Sequence, residues 1–250
     1  MRLLLVNDDG IHAEGIQRLA KELEKDYELV IVAPDDERSA QSHALTLRKP
    51  LVVKEVELGG IKSKAYSVSG TPADCVRIAI DKLLPEPVDM VLSGINRGLN
   101  VGMDVLYSGT VSAAIEANMY NIPSIALSAQ WEDGNINYDI TVKYGKLILE
   151  KLRDQLLNNN MIISVNTPLL KDDQVKGIKV CKIGGVVYDY YIMEDGKIKG
   201  ESVLKADGRM RDIDEEDTDR YYISQGYVTI TPLQYNLTNF KLIDKVQDWI

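Results

Sequence analysis

The chain opens on four consecutive apolar residues, Leu3-Leu4-Leu5-Val6. A run with no polar alternation reads as a strand buried on both faces, here over Arg2–Val6. The pattern then spreads to a helical period. Ile16, Leu19, Ala20 and Leu23 fall at i, i+3, i+4 and i+7 and predict a helix over Ala13–Lys25. Leu29–Ala33 is a second buried strand, stopped by Pro34. Short strands are expected at Leu51–Val56 and Lys64–Val68. A helix follows over Thr71–Leu84, with Val76, Ala79, Ile80 and Leu83 on one face. The alternation continues with a strand at Val88–Leu92, an Ala-rich helix at Val111–Tyr120 and a strand at Ser124–Ser128. A long helix at Tyr138–Leu157 and a strand at Met161–Val165 complete it. Continuous apolar strands separated by helices imply an α/β fold, a mostly parallel sheet with helices on both faces.

Beyond residue 170 the texture changes. Gly177–Ile183 and Val186–Met193 are strand-like, and Glu194-Asp195-Gly196 signals a hairpin turn ahead of Lys197–Leu204. Tyr188, Tyr190 and Tyr191 crowd one of these strands. Asp212–Asp219 holds six acids in eight residues and reads as a solvated loop. Gly226–Thr231 resumes a strand, and Ile243–Ile250 fits a terminal helix. The expected organisation is an α/β core over 1–176, an extended β-hairpin arm over 177–225, and a strand and helix over 226–250. That last segment returns to the core or to a neighbouring subunit. A long hairpin has exposed edges unless a partner covers them, so the arm is expected to mediate oligomerisation.

Composition narrows the function classes. A net charge of -9 argues against a general nucleic-acid binder, whose affinity rests on cations facing phosphates. A small phosphorylated substrate stays open, provided a metal, helix N-termini or a few donors supply positive potential locally. For 250 residues the folded surface should be ~11,000 Å², which buries a sizeable core without disulfides. No apolar run approaches the ~20 residues of a membrane span. The first strand is too short and too soon followed by acids to be a secretory segment, so a cytoplasmic protein is expected. Cys75 and Cys181 lie far apart and read as buried thiols; His12 and His43 are too few for a His-rich zinc site.

In a parallel sheet, ligands bind outside the carboxyl ends of the strands. After the first strand comes Asn7-Asp8-Asp9-Gly10. Adjacent carboxylates repel, and a hard divalent cation such as magnesium or manganese relieves that repulsion. A plain turn with solvated acids explains this motif as well when it is taken alone. Pro34-Asp35-Asp36-Glu37-Arg38-Ser39-Ala40 follows the second strand and reads as a solvated connection. After Val88–Leu92 a Gly- and Asn-rich loop, Ser93 to Asp104, leads through Tyr107-Ser108-Gly109-Thr110 into a helix. A Gly-rich loop entering a helix N-terminus offers free N–H groups and the positive end of the helix dipole to an anion. Asn96 can add an amide oxygen for a metal. Gly70-Thr71-Pro72-Ala73-Asp74 is explained by helix capping.

These pieces resemble the SurE family (survival protein E), metal-dependent 5'-nucleotidases and acid phosphatases. The matching motifs are N-D-D-G at 7–10, P-D-D-E-R-S-A at 34–40, S-G-T-P-A-D-C at 69–75, S-G-I-N-R-G-L-N-V-G-M-D at 93–104 and Y-S-G-T-V-S-A-A at 107–114. Similarity continues through S-V-N-T-P at 164–168 and G-Y-V-T-I-T-P at 226–232. Asn118 departs from the pattern where glycine is often seen, and residues 177–220 match loosely. The resemblance implies a Rossmann-like body with an extended C-terminal arm, dimers or tetramers, and one divalent cation per subunit held by Asp8, Asp9, Ser39 and Asn96. The residues alone point to three of these four and miss Ser39.

The expected reaction is hydrolysis of a nucleoside monophosphate to nucleoside and phosphate, with the 5'-isomer as substrate and the 3'-isomer as a further candidate. Asp8, Asp9 and Asn96 are the candidate catalytic residues. Ser108, Gly109, Thr110 and Asn100 are the candidate phosphate binders. His43 reads by default as structural, otherwise as support behind the ligands or as a proton donor. No nucleic acid or membrane partner is expected. A phosphoacceptor receiver domain would need an Asp after its third parallel strand and about half this length; Ser93-Gly94-Ile95-Asn96 stands there instead. A haloacid-dehalogenase-type phosphatase wants two Asp at i, i+2, whereas here the pair is adjacent. A non-enzymatic nucleotide-binding or oligomeric interaction protein is the remaining alternative.

Overall fold

The computed structural model describes residues 1–84, 86–195, 200–211 and 215–250, with the backbone alone at 188, 189, 195 and 207–211. The strands are β1 (Arg2–Val6), β2 (Glu28–Pro34), β3 (Val53–Val56), β4 (Lys64–Val68), β5 (Met90–Arg97), β6 (Ser124–Ala129), β7 (Trp131–Glu132), β8 (Asn135–Ile136), β9 (Ile162–Thr167), β10 (Ile178–Val180), β11 (Val187–Asp195), β12 (Ser202–Arg211) and β13 (Val228–Leu233). The helices are α1 (Glu14–Leu23), α2 (Pro72–Ile78), α3 (Gly109–Met119), α4 (Tyr138–Asn159), α5 (Asp219–Ser224) and α6 (Phe240–Asp248). Nine strands form one sheet in the order β10-β13-β9-β6-β5-β1-β2-β4-β3. Strands β4, β2, β1, β5, β6 and β9 run parallel; β3 and the β13–β10 pair run against them.

The unbroken apolar run of β1 is explained by burial on both faces. Leu3 and Leu5 pack with Ile16, Leu19 and Leu149 on the α1/α4 side. Leu4 and Val6 pack with Val76, Ala79, Ala113 and Ala117 on the α2/α3 side. Nearly every residue of α3 is buried, which accounts for its small side chains. Thr71 caps α2 reciprocally: its hydroxyl accepts from the Asp74 N–H (3.1 Å), and the Asp74 carboxylate accepts from the Thr71 N–H (2.9 Å).

Several boundaries differ from the sequence reading. The strand expected to stop at Leu92 continues to Arg97, through a register shift between Ser93 and Asn96, and Asn96 and Arg97 pair with Ser128 and Ala129 of β6. The Gly-rich segment therefore begins as strand. At Gly94 the backbone takes φ +138°, and a Cβ would lie 2.3 Å from the Leu127 carbonyl oxygen. Only glycine fits this close approach. Helix α3 starts at Gly109, not Val111, with Ser108 as its N-cap. The run Asp212–Asp219 is not uniformly solvated. Thr218 and Asp219 are buried, and Asp219 accepts backbone N–H bonds from Gly102 (2.8 Å), Gly184 (2.9 Å) and Arg220 (2.7 Å). Burial raises this carboxyl, and the three main-chain donors offset part of that cost. Residues 212–214, the tip at Gly196 and the start of the strand expected at Lys197–Leu204 lie outside the described residues; the second hairpin strand runs over Ser202–Arg211.

Within 177–225, β10 joins the main sheet and α5 packs on β13, while β11 and β12 form a separate antiparallel hairpin. The accessible surface is 14,128 Å², against the ~11,000 Å² expected for a compact monomer of this length. Tyr190, Met193 and Leu204 on the hairpin, Phe240 and Ile243 on α6 and Trp249 just after it are exposed and contribute to that excess. Among the described residues, no helix is long and apolar enough to cross a membrane.

Candidate active site

The carboxyl ends of β1, β2 and β5 meet at an open cavity of about 700 Å³ lined by Asp8, Ser39, Asn96, Asn100 and Ser108. A second cavity of about 500 Å³ lies at the opposite ends of the strands, against Arg2, Tyr27 and Lys64, and touches none of the candidate residues. The two places that the sequence marked independently, the Asp pair and the start of α3, are in direct contact. The Thr110 hydroxyl donates to Asp8 Oδ1. Gly109 packs so close that a Cβ there would sit 2.9 Å from the Asp8 Cβ and 3.0 Å from its Oδ2.

Asp8 is 3% exposed. Burial pushes its carboxyl up to about 6; the Thr110 hydrogen bonds oppose this and the neighbouring Asp9 charge adds to it. Asp9 is also raised by burial, partly offset by the Arg97 N–H, which donates to its Oδ2 at 2.9 Å. Among the described residues no Lys or Arg forms an ion pair with Asp8. The Asn96 amide donates to the Gly98 carbonyl (2.8 Å), which leaves its oxygen as the free end. The Ser39 hydroxyl, exposed on the β2–β3 loop, donates to Glu37 (2.6 Å), and its lone pairs remain available. The loop that carries Ser39 is tied to the end of β1 by the Arg38 N–H, which donates to the Asp8 carbonyl at 2.7 Å.

The phosphate-binding candidates divide. Ser108 accepts from the Val111 N–H (3.0 Å) and retains its hydroxyl proton for donation. Thr110 is fully buried and directs its hydroxyl at Asp8, so it orients the carboxylate. Asn100 lines the cavity, yet its amide donates to Ser128 (2.9 Å), and its backbone exchanges hydrogen bonds with Asn166 (2.8 and 3.1 Å). It braces the loop as much as it faces the cavity. His43 does not reach the Asp pair; its Nε2–H donates to Glu116 on α3 at 2.5 Å.

Sequence reasoning missed three contributors. Asp219 anchors the Gly-rich loop from afar, hidden in an acidic run that composition alone reads as solvated. Arg220 donates to the Val101 carbonyl (3.1 Å) beside it. Glu116 is 1% exposed and takes both His43 and Arg77. The signal for Glu116 was available: it is the one acid in the otherwise small and apolar helix Gly109–Met119.

Comparisons with known proteins agree with this architecture. A family profile described as "Survival protein SurE" matches residues 3–189. A protein from Clostridium tetani named 5'-nucleotidase SurE is 49% identical over 249 residues, covering 100% of both chains. One of the same name from Clostridium kluyveri is 45% identical, covering 99% of this chain and 98% of the relative. The crystal structure of the SurE protein from Aquifex aeolicus superposes with a TM-score of 0.85 at 35% identity, covering 100% of this chain and 99% of that one. With a family profile that matches residues 3–189 and relatives that match along the whole chain, the chain belongs to the SurE family.

Proposed function

We infer that this chain is a phosphomonoesterase that hydrolyses nucleoside 5'-monophosphates to nucleoside and phosphate, using one divalent cation per subunit, magnesium or manganese. The observation that carries the reading is the contact between the buried Asp8 carboxylate and the first turn of α3. An acid raised by burial, with no ion pair among the described residues, touches a helix N-terminus at the wall of one cavity. The donor set supports the cation. Among the described residues no group of three or more His, Cys, Asp or Glu is arranged to hold a metal. The available atoms are two carboxylates, the Asn96 amide oxygen and the Ser39 hydroxyl, an all-oxygen set that suits a hard cation. When bound, the cation supplies Lewis-acid stabilisation of charge on the phosphate.

The chain's own groups do the rest. Thr110 fixes Asp8 in one orientation, and the Arg97 N–H does the same for Asp9. The Ser108 hydroxyl and the leading N–H groups of α3 offer donors to non-bridging phosphate oxygens; preorganised donors of this kind contribute ~10²–10³ each in rate. The test is phosphate release from a panel of nucleoside 5'- and 3'-monophosphates with magnesium, manganese or EDTA. Turnover with metal that falls at least ~10²-fold in EDTA is expected. No release from any nucleotide with any metal would overturn the reading.

We infer further that the hairpin makes the chain a homodimer or homotetramer, supported by its exposed Tyr190, Ile192, Met193 and Leu204. Replacing 188–210 with a short Gly-Ser turn should reduce the light-scattering mass to that of one chain; an unchanged mass would count against it.

A further inference from the structure

We propose that Glu116 is a positioning residue that seats the Ser39-bearing loop over the cavity by clamping His43, with Arg77 as its counter-charge. This rests on the phosphatase reading and deepens it.

The loop between β2 and β3 spans 35–52 without regular structure. Its first part is held by Arg38, whose N–H donates to Asp8 and whose guanidinium pairs with Asp35 (2.8 Å). Its later part is held on α2: the Thr71 hydroxyl donates to the Ala44 carbonyl (2.7 Å), and the Thr46 N–H donates to Asp74 (3.1 Å). Between these anchors Ala40 and Ser42 adopt left-handed backbone, with φ of 55° and 51°. Non-glycine residues persist there only where surrounding contacts over-determine the conformation. Two contacts do so. The Ser42 N–H donates to the Tyr107 carbonyl at 3.0 Å, and His43 Nε2 reaches Glu116 Oε2 at 2.5 Å.

Glu116 suits the role because its carboxylate cannot turn to water. It is 1% exposed, and its other oxygen accepts from Arg77 Nε at 2.5 Å. The charge is balanced from α2, so the second oxygen is left rigid and ionised toward the loop. Charge-assisted hydrogen bonds are the strong ones, and a partner whose own orientation is fixed gains most from them. One carboxylate thus joins α2, α3 and the β2–β3 loop. Ser39 lies four residues before the clamp, at the rim of the cavity.

The test compares the protein with two single variants, their double combination and a rescue variant. Glu116→Gln removes the charge but keeps the shape. His43→Ala releases the loop while leaving the Glu116–Arg77 pair intact, so it stays informative if Glu116→Gln fails to fold. In the metal-free protein, hydrogen exchange within 38–48 should accelerate at least tenfold in either variant, with the strands of the sheet unchanged. With metal and nucleotide, the KM and the half-saturating metal concentration should rise about tenfold, with kcat changing less. The double variant should be no worse than the more severe single one. His43→Gln, which can still offer an N–H, should recover part of the loss. Unaltered exchange in 38–48 in folded variants, or a loss in kcat alone, would overturn the clamp. The exchange result stands even if the wild-type chain releases no phosphate, so the two readings fail separately.

Discussion

Asp8→Asn is expected to lower nucleotide hydrolysis by about 10³-fold or more and, at the same time, to raise the melting temperature of the metal-free protein. The second half follows from the sign of the electrostatics. A carboxyl held near 6 in the fold against 3.8 ordinarily is one whose ionised form the fold disfavours. That penalty is absent below the ordinary value, grows as pH climbs to about 6, and is complete above it. At neutral pH it amounts to at most on the order of 3 kcal/mol. Asparagine carries no charge, relieves Asp9 of a like-charged neighbour, and still gives the Thr110 hydroxyl an oxygen to donate to. Each kcal/mol recovered raises the melting temperature by about 2–4 °C in a chain of this size. A site that trades stability for function behaves this way. Calorimetric melting in EDTA, set beside phosphate release with metal, checks both halves; a variant that melts lower and remains active contradicts them.

Gly94→Ala is expected to damage the fold and the site together. The added methyl would fall 2.3 Å from the Leu127 carbonyl oxygen, in a backbone conformation at φ +138° that L residues rarely adopt. Both costs act on the junction of β5 and β6, and a loss of about 3 kcal/mol or more is expected, equivalent to a drop of about 6–12 °C. Relaxing the clash requires β5 to move away from β6, which carries Asn96 off the cavity, so hydrolysis should fall as well. Gly59→Ala, where nothing lies within 4 Å of the new methyl, is the control and should stay within about 0.5 kcal/mol of the parent. Thermal unfolding of the two variants separates this account from a general intolerance of added volume.

The body of the fold was legible because its strands are buried on both faces and its helices are amphipathic or Ala-rich. β1 and β4 fall where the apolar pattern puts them. The Asp pair and the α3 start were legible as strand-end chemistry, and the structure brings them into contact. What the pattern could not show was tertiary in origin. Asn96 and Arg97 look like loop residues because their polarity hides a strand that pairs past a Gly94 bulge. Thr110 reads in the sequence as a phosphate donor, and no local pattern shows that its hydroxyl also bonds Asp8. Asp219 looks solvated in a run of acids, and only the packing of α5 against the Gly-rich loop shows that three backbone N–H groups hold it inside. Ser39 carries no local signal at all: a lone hydroxyl in a polar loop gains meaning only from the β1 end to which the Arg38 N–H ties that loop.

The most direct test of the central claim is calorimetric titration of the metal-free protein with Mn²⁺, in wild type and in Asp8→Asn. One ion bound per chain in the wild type, and at least ~10-fold weaker binding in the variant, is the predicted result. Equal affinity in the two proteins, or no saturable binding in the wild type while hydrolysis persists in EDTA, would contradict it.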